Sequence, residues 1–134
     1  MQHRFKMIKK EVISLEAQWY GGGYKFIMFE NNIGMFTFEY GSHNKVDLDE
    51  PKIIKFWQEV DEINIWNWKK KYPYWKQKYE PMLDGCSWEL KLRNRKQKAK
   101  YSTGYESYPR TYKKLISSLI KLFDAKEFEK NIIY

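Results

Sequence analysis

Side chains that commonly perform acid–base, nucleophilic or metal chemistry are scarce in this chain of 134 residues. It has two histidines, His3 near the first residue and His43 in a predicted turn, and a single cysteine, Cys86. Histidine is the usual proton carrier near neutral pH, whereas a reactive cysteine needs exposure and a nearby positive charge. Neither histidine stands in a nucleophile or metal-binding pattern, and Cys86 falls on the inward face of a predicted strand. We therefore expect solvated histidines and a cysteine that behaves as a small hydrophobic residue.

A group of carboxylates after the predicted third strand offers another route to catalysis, and it consists of Glu39, Asp47, Asp49 and Glu50. Two carboxylates could bind a divalent cation or perform acid–base work. Their spacing matches no known metal-binding loop, and helix capping accounts for Asp49 and Glu50. The triple glycine at 21–23 lacks the lysine and helix of a phosphate-binding loop. The sequence therefore predicts no enzyme, no metal and no cofactor, with a small hydrolase that uses a carboxylate site as an alternative.

Aromatic and basic residues alternate between residues 66 and 79, and this run is the strongest functional signal in the sequence. Rings stack on unpaired bases while lysines follow phosphates, and tryptophan and tyrosine are also enriched in protein-binding hot spots. The run contains Trp66, Trp68, Tyr72, Tyr74, Trp75 and Tyr79 among Lys69, Lys70, Lys71, Lys76 and Lys78. The alternative is that the rings complete the core, with lysine stems lying over them. Because so many rings cannot all be exposed, the sequence leaves open which of them reach the surface.

A predicted β-hairpin after residue 86 supplies a second group of basic residues. Residues 65–114 carry a net charge of +10, which exceeds the +8 of the whole chain. Such asymmetry indicates an anionic partner, although a solvated lysine-rich surface gives the same composition. We expect Lys91 and Arg93 to share one outward face with Lys98 and Lys100. The candidate partner-binding set is Trp68, Lys69, Lys70, Tyr72, Tyr74, Trp75, Lys91, Arg93, Arg95, Lys96, Lys98 and Lys100.

Alternation of apolar residues predicts a three-stranded antiparallel meander in the first part of the chain. About the first sixteen residues form a bulged or edge strand, with Ile13 and Leu15 on one side. Gly21-Gly22-Gly23 is a turn, and residues 24–30 form the second strand. Asn31-Asn32-Ile33-Gly34 is a hairpin turn, and residues 35–40 form the third strand.

The second part of the chain predicts two helices and a hairpin. Asp49-Glu50-Pro51 begins a helix, because a capping acid and a proline suit its first turn. Cys86, Trp88, Leu90 and Leu92 face inward on one strand, and Lys98 to Thr103 returns with Ala99 and Tyr101 inward. A second helix covers residues 110–123, and residues 124–134 are a short helix or a tail.

These elements predict a single α+β domain over residues 1–134. The order β-β-β-α-β-β-α indicates an antiparallel sheet in two layers, with both helices packed on one face. No apolar run is long enough to span a membrane, no secretory signal is apparent, and one cysteine suits a reducing compartment. The sequence therefore predicts a cytoplasmic protein without a membrane partner.

Several short motifs resemble a family of small uncharacterised bacterial and mobile-element proteins. They are Trp66-Asn67-Trp68-Lys69 to Tyr72, Asp84-Gly85, Trp88-Glu89-Leu90, Gly104 and Tyr108-Pro109. The likeness covers about residues 50–123 and departs from the family at Tyr105-Glu106 and Tyr112, where relatives carry asparagine and phenylalanine. It implies the fold described above and no activity.

Two functions follow from these features. The first is a small non-catalytic interaction protein of bacterial or phage type, which binds a protein with an acidic surface through residues 66–79 and the outer face of the hairpin. The alternative is single-stranded RNA or DNA binding, with the hairpin lysines on phosphates and Tyr74 or Trp75 stacked on bases. No RNA-recognition, KH or helix-turn-helix signature accompanies the second.

Overall fold

The structure, a computed structural model, describes residues 9–38, 42–74 and 85–126. Within them lies a seven-stranded sheet in the order β4-β3-β2-β1-β6-β7-β5, antiparallel throughout except for the β5–β7 pair. The strands are β1 (Val12–Trp19), β2 (Gly22–Met28), β3 (Ile33–Phe38), β4 (Ser42–Asp47), β5 (Lys71–Tyr72), β6 (Ser87–Arg93) and β7 (Ala99–Tyr105). The helices are α1 (Glu50–Ile63) and α2 (Tyr112–Phe123). A mixed α and β chain with a mostly antiparallel sheet is thus confirmed. The observed order adds β4 and β5, and the two-layer arrangement stays a prediction.

Strand β1 lies in the middle of the sheet, so the prediction of an edge strand is wrong. It pairs with β2 on one side and with β6 on the other, from Val12↔Arg93 to Gln18↔Ser87. Ile13 and Leu15 face the core and are fully buried, as their spacing predicted. The part of the predicted strand before residue 9 lies outside the described residues. Sequence reasoning missed the central position because β1 acquires its second neighbour from far along the chain.

Two short turns connect the first three strands. The β1–β2 turn consists of Tyr20 and Gly21, and Gly21 has a φ of +91°, which glycine adopts without steric cost. The β2–β3 turn is a 3-10 helix over Glu30–Asn32, in which Asn31 and Asn32 have φ angles of 63° and 59°. Asparagine tolerates this left-handed region, so the predicted turn is confirmed, with β3 starting within it at Ile33.

Strand β4 was missed, and His43, which was expected in a turn, lies exposed within it. Among the described strands it pairs with β3 alone, and His43 is opposite Thr37. Its polar sequence gives little of the apolar alternation by which strands are recognised. Residues 39–41, which include Glu39 of the carboxylate group, lie outside the described residues.

Both predicted helices are present. Helix α1 has Pro51 in its first turn and ends at Asn64, a left-handed residue with φ 63°. Asp49 occupies the N-cap position without a side-chain capping bond, so the predicted role of its carboxylate is wrong. Helix α2 begins two residues later than predicted and ends at Asp124, also left-handed. The chain after residue 126, with the predicted short helix or tail, lies outside the described residues. Within the described residues no helix is long and apolar enough to cross a membrane.

Aromatic rings join α2 to one face of the sheet. The ring centroids of Phe26 and Phe123 are 5.3 Å apart, and those of Trp88 and Tyr112 are also 5.3 Å apart. The hydroxyls of Tyr24 and Tyr112 lie 2.7 Å apart in a buried hydrogen bond. Alternate residues of β1, β2, β3 and β6 are buried on this face, as period-two patterning requires.

Strand β7 has the reverse of its predicted orientation. Leu92 lies opposite Lys100, and Lys91 lies opposite Tyr101. Lys100 is therefore on the face that carries Leu92, whereas Tyr101 faces away from the core and is 44% exposed. The expected common face of Lys91 and Arg93 with Lys98 and Lys100 is wrong. A shift of one residue in a strand moves every side chain to the opposite face.

Candidate functional site

Residues of β7 donate hydrogen bonds to the backbone carbonyl groups at the start of the aromatic-basic run. The carbonyl oxygen of Trp66 accepts a hydrogen bond from Lys100 Nζ (3.1 Å). The carbonyl of Lys69 accepts one from Ser102 Oγ (2.6 Å), and that of Lys70 accepts one from the backbone N–H of Thr103 (2.9 Å). This attachment leads directly into β5, which pairs in parallel with β7 at the edge of the sheet.

The rings of the run divide between core and surface. Trp68 and Tyr72 are buried, and Trp68 Nε1 donates to Thr111 Oγ1 (3.0 Å). Trp66 is half-buried, stacks on Trp57 with an interplanar angle of 15°, and donates from Nε1 to Asp61 (2.7 Å). Tyr74 is 62% exposed. Trp75 and residues 76–84 lie outside the described residues.

Two lysine ammonium groups lie over the rings of Trp66 and Tyr74. Lys98 Nζ is 5.0 Å from the centroid of a Trp66 ring, and Lys69 Nζ is 5.4 Å from that of Tyr74. Both distances are within the range of cation–π attraction. We call Trp66, Lys69, Tyr74, Lys98 and Lys100 the aromatic–basic surface. Lys70 and Lys71 are exposed beside it in the chain.

This surface brings positive charges close to one another. Partial burial, and then the charge of Lys69, lower the pKa of the Lys100 ammonium. Within the described part of the chain, Lys69, Lys98 and Lys100 form no ion pair with a carboxylate. Among the described residues, Asp61 is an acidic side chain that is bonded to the surface, through the indole of Trp66. An anion placed here gains attraction from several cations, none of which is paired with a carboxylate of the described residues.

The remaining basic residues of the hairpin are placed differently. Lys91 pairs with Glu89 on the other face of the sheet (3.5 Å), where Arg93 also lies, half-buried and opposite Val12. Lys96 is exposed in the β6–β7 turn. The structure therefore does not bring the hairpin residues together on one face.

Arg95 is bound by two carboxylates from other parts of the chain. It donates from Nε to Glu11 (3.0 Å) and pairs through Nη1 with Glu50. The hydrogen bond from Arg95 is the main reason that the pKa of Glu50 is lowered. Glu11 also accepts from Trp57 Nε1 (2.6 Å). Arg95 thus joins the hairpin turn to the residue before β1 and to α1.

Residues with potential for catalysis are not assembled into a reactive set among those described. Cys86 is buried, as predicted, and burial raises the pKa of its thiol. The described residues contain no group of three or more His, Cys, Asp or Glu side chains that could hold a metal ion. Asp47 and Asp49 are exposed, and Glu50 is engaged by Arg95 and by Asn32 (3.0 Å).

Sequence reasoning left Trp66 outside the candidate set and missed the inward orientation of Lys100. The signal that was available is the pair of small residues Ser102 and Gly104 in β7. Both are buried. Small residues at alternate positions indicate the side of a strand on which bulky neighbours need room.

Comparisons with models of known protein families, with curated proteins and with solved structures found no match.

Proposed function

We propose that this protein is a non-catalytic binding protein that recognises a partner with an acidic surface through the aromatic–basic surface. The observation that carries the proposal is the placement of Lys69, Lys98 and Lys100 around two rings without carboxylate partners among the described residues. Elsewhere on the hairpin, Lys91 and Arg95 are paired with glutamates. Uncompensated cations beside aromatic rings favour association with anions.

The same proposal includes the two-layer packing of the domain and its location in the cell. Its helices cover one face of the sheet in two layers, and the aromatic–basic surface lies near the edge formed by β7 and β5. A cytoplasmic protein of bacterial or phage type suits a chain with one buried cysteine. The family resemblance adds no activity to this function.

Charge-neutral variants can separate this surface from the general positive charge. The test variant is Lys69→Gln/Lys98→Gln/Lys100→Gln. The control is Lys52→Gln/Lys55→Gln/Lys114→Gln, which removes the same charge at exposed helix lysines. Binding of heparin, poly-glutamate and oligo(dT) is measured by fluorescence anisotropy, and folding of each variant is checked by circular dichroism.

We expect the test variant to bind at least one of these polyanions more than about tenfold more weakly than the wild type. Each lysine that is removed leaves one charge of the polyanion with its bound counterion, so the release of that counterion no longer favours binding. The control should lose much less. Equal losses in the two variants would show that net charge alone causes binding, which would overturn the proposal. If the test variant is less stable, the single substitutions Lys69→Gln and Lys98→Gln, at exposed side chains, make the same comparison.

A further inference from the structure

The charged groups of the aromatic–basic surface are all lysines. The arginines nearest in sequence are used elsewhere, since Arg95 pairs with Glu11 and Glu50 and Arg93 lies on the other face of the sheet. Protein–protein interfaces are enriched in arginine and depleted of lysine. Phosphate groups, in contrast, accept lysine readily as a point charge. The composition of this surface therefore favours phosphates over the carboxylates of a protein partner.

Each ring of the surface has an ammonium group beside it. Lys69 accompanies Tyr74, and Lys98 accompanies Trp66. A nucleotide likewise carries a flat base and a phosphate a few bonds apart, so one ring–lysine pair offers both of the contacts that it needs. Tyr74 is the more accessible ring, at 62% exposure.

The placement of the helices disfavours recognition of double-stranded nucleic acid by base contacts in its major groove. Reading base edges in the major groove requires a helix or a two-stranded ribbon that can enter the groove. Eight of the twelve residues of α2 are buried, and the exposed side chains of α1 include Glu50, Asp61 and Glu62, which repel phosphates. Stacking on Tyr74 also requires a base that is not already stacked and paired.

From these three observations we infer that the aromatic–basic surface binds single-stranded nucleic acid, with Lys69, Lys98 and Lys100 on phosphates and Tyr74 stacked on a base. This inference rests on the proposed function and names the chemical class of its partner. Neutralising three phosphates gives a slope of log K against log salt of about −2 for a single strand. Affinity should then fall about twentyfold between 50 and 200 mM salt.

The probes of the experiment are fluorescent oligo(dT) and oligo(rU) of about 16 nucleotides, the upper site size of common single-strand binding folds. A DNA hairpin duplex and poly-glutamate serve as competing anions. The variants are Tyr74→Leu, which removes the ring, Tyr74→Phe, which retains it, and Tyr20→Leu, the control. Tyr20 is 89% exposed in the β1–β2 turn, so its loss tests for a general effect of removing an exposed ring.

We expect Tyr74→Leu to weaken oligonucleotide binding about tenfold, within the range of base–aromatic stacking. Tyr74→Phe and Tyr20→Leu should bind nearly as the wild type does, and poly-glutamate affinity should not respond to the ring. Poly-glutamate bound as tightly as the oligonucleotides, or a Tyr74→Leu variant with unchanged oligonucleotide affinity, would overturn the inference. The proposed function would survive either result as long as the lysine variant still lost polyanion binding. If neither the lysine variant nor Tyr74→Leu lost binding, both the inference and the proposed function would be overturned.

Discussion

Lys100 donates a hydrogen bond from Nζ to the backbone carbonyl oxygen of Trp66 over 3.1 Å, and this bond ties β7 to the start of the aromatic-basic run. The ammonium is partly withdrawn from water and lies near Lys69, and both effects lower its pKa. The bond therefore holds a cation at a position where its charge is unfavourable in the absence of an anion.

This lowered pKa predicts a pH-dependent difference between the wild type and Lys100→Met. Between the lowered pKa in the folded state and the ordinary value of 10.5, the unfolded chain binds more protons at this site than the folded chain does. The free energy of unfolding of the wild type should thus rise relative to that of Lys100→Met as the pH is raised through this window. Urea titrations of both proteins at several alkaline pH values measure the difference. A difference that is independent of pH would contradict the prediction, and Lys52→Met serves as an exposed control.

The opposite faces of the hairpin predict unequal effects of two charge reversals. Lys98→Glu should weaken oligo(dT) binding about eightfold at 50 mM salt. This is the counterion-release contribution of one phosphate contact to a single strand, relative to about 1 M salt. Lys91→Glu should have a smaller effect, because Lys91 is on the other face and already pairs with Glu89. The two variants have the same net charge, so anisotropy titrations at one salt concentration compare them directly. Equal losses would show that only the overall charge matters.

The pair formed by Arg95 and Glu50 predicts a change in acid titration. Because Arg95 lowers the pKa of Glu50, the pair stabilises the fold above the ordinary pKa of 4.5, and this contribution is lost as the pH falls through the lowered value. In Arg95→Gln, the pKa of Glu50 should move back toward 4.5. The part of the difference in the free energy of unfolding between variant and wild type that comes from this pair should vanish at low pH. Carboxyl NMR titration of the wild type and of Arg95→Gln measures the pKa of Glu50. An unchanged Glu50 pKa would contradict this pairing.

The close approach of Gly104 and Trp88 predicts a large loss of stability in Gly104→Ala. A Cβ at Gly104 would lie 2.0 Å from Trp88 Nε1 and 2.6 Å from the carbonyl oxygen of Ser107, to which that indole donates. Overpacking of this kind costs about 3 kcal/mol, because the ring and backbone must shift. Gly21→Ala is the matched control, since its Cβ meets no atom within 4 Å and only the positive φ of 91° is strained. Urea unfolding of both should show the greater loss for Gly104→Ala, and equal losses would contradict the clash.

The sequence by itself determined the elements whose signals are local. The α1 start at Glu50-Pro51 follows from propensities within one turn, and the burial of Trp88, Leu90 and Leu92 follows from strict alternation. The composition also identified the aromatic-basic run as the place where a partner-binding surface could form.

Tertiary structure alone decided the orientation of β7, and with it the location of the positive charge. The β6–β7 turn contains five residues, and Asn94 Oδ1 accepts hydrogen bonds from the backbone N–H groups of Lys96 and Lys98 (3.0 and 2.9 Å). This turn accommodates a register in which Lys100, Ser102 and Gly104 face the side of Trp88. The apolar pattern of β7 favoured Ala99 and Tyr101 for that side, but the indole of Trp88 and the backbone of residues 66–70 occupy the space there. Only small or long, flexible side chains fit beside them, so contacts with residues distant in sequence outweighed the local pattern.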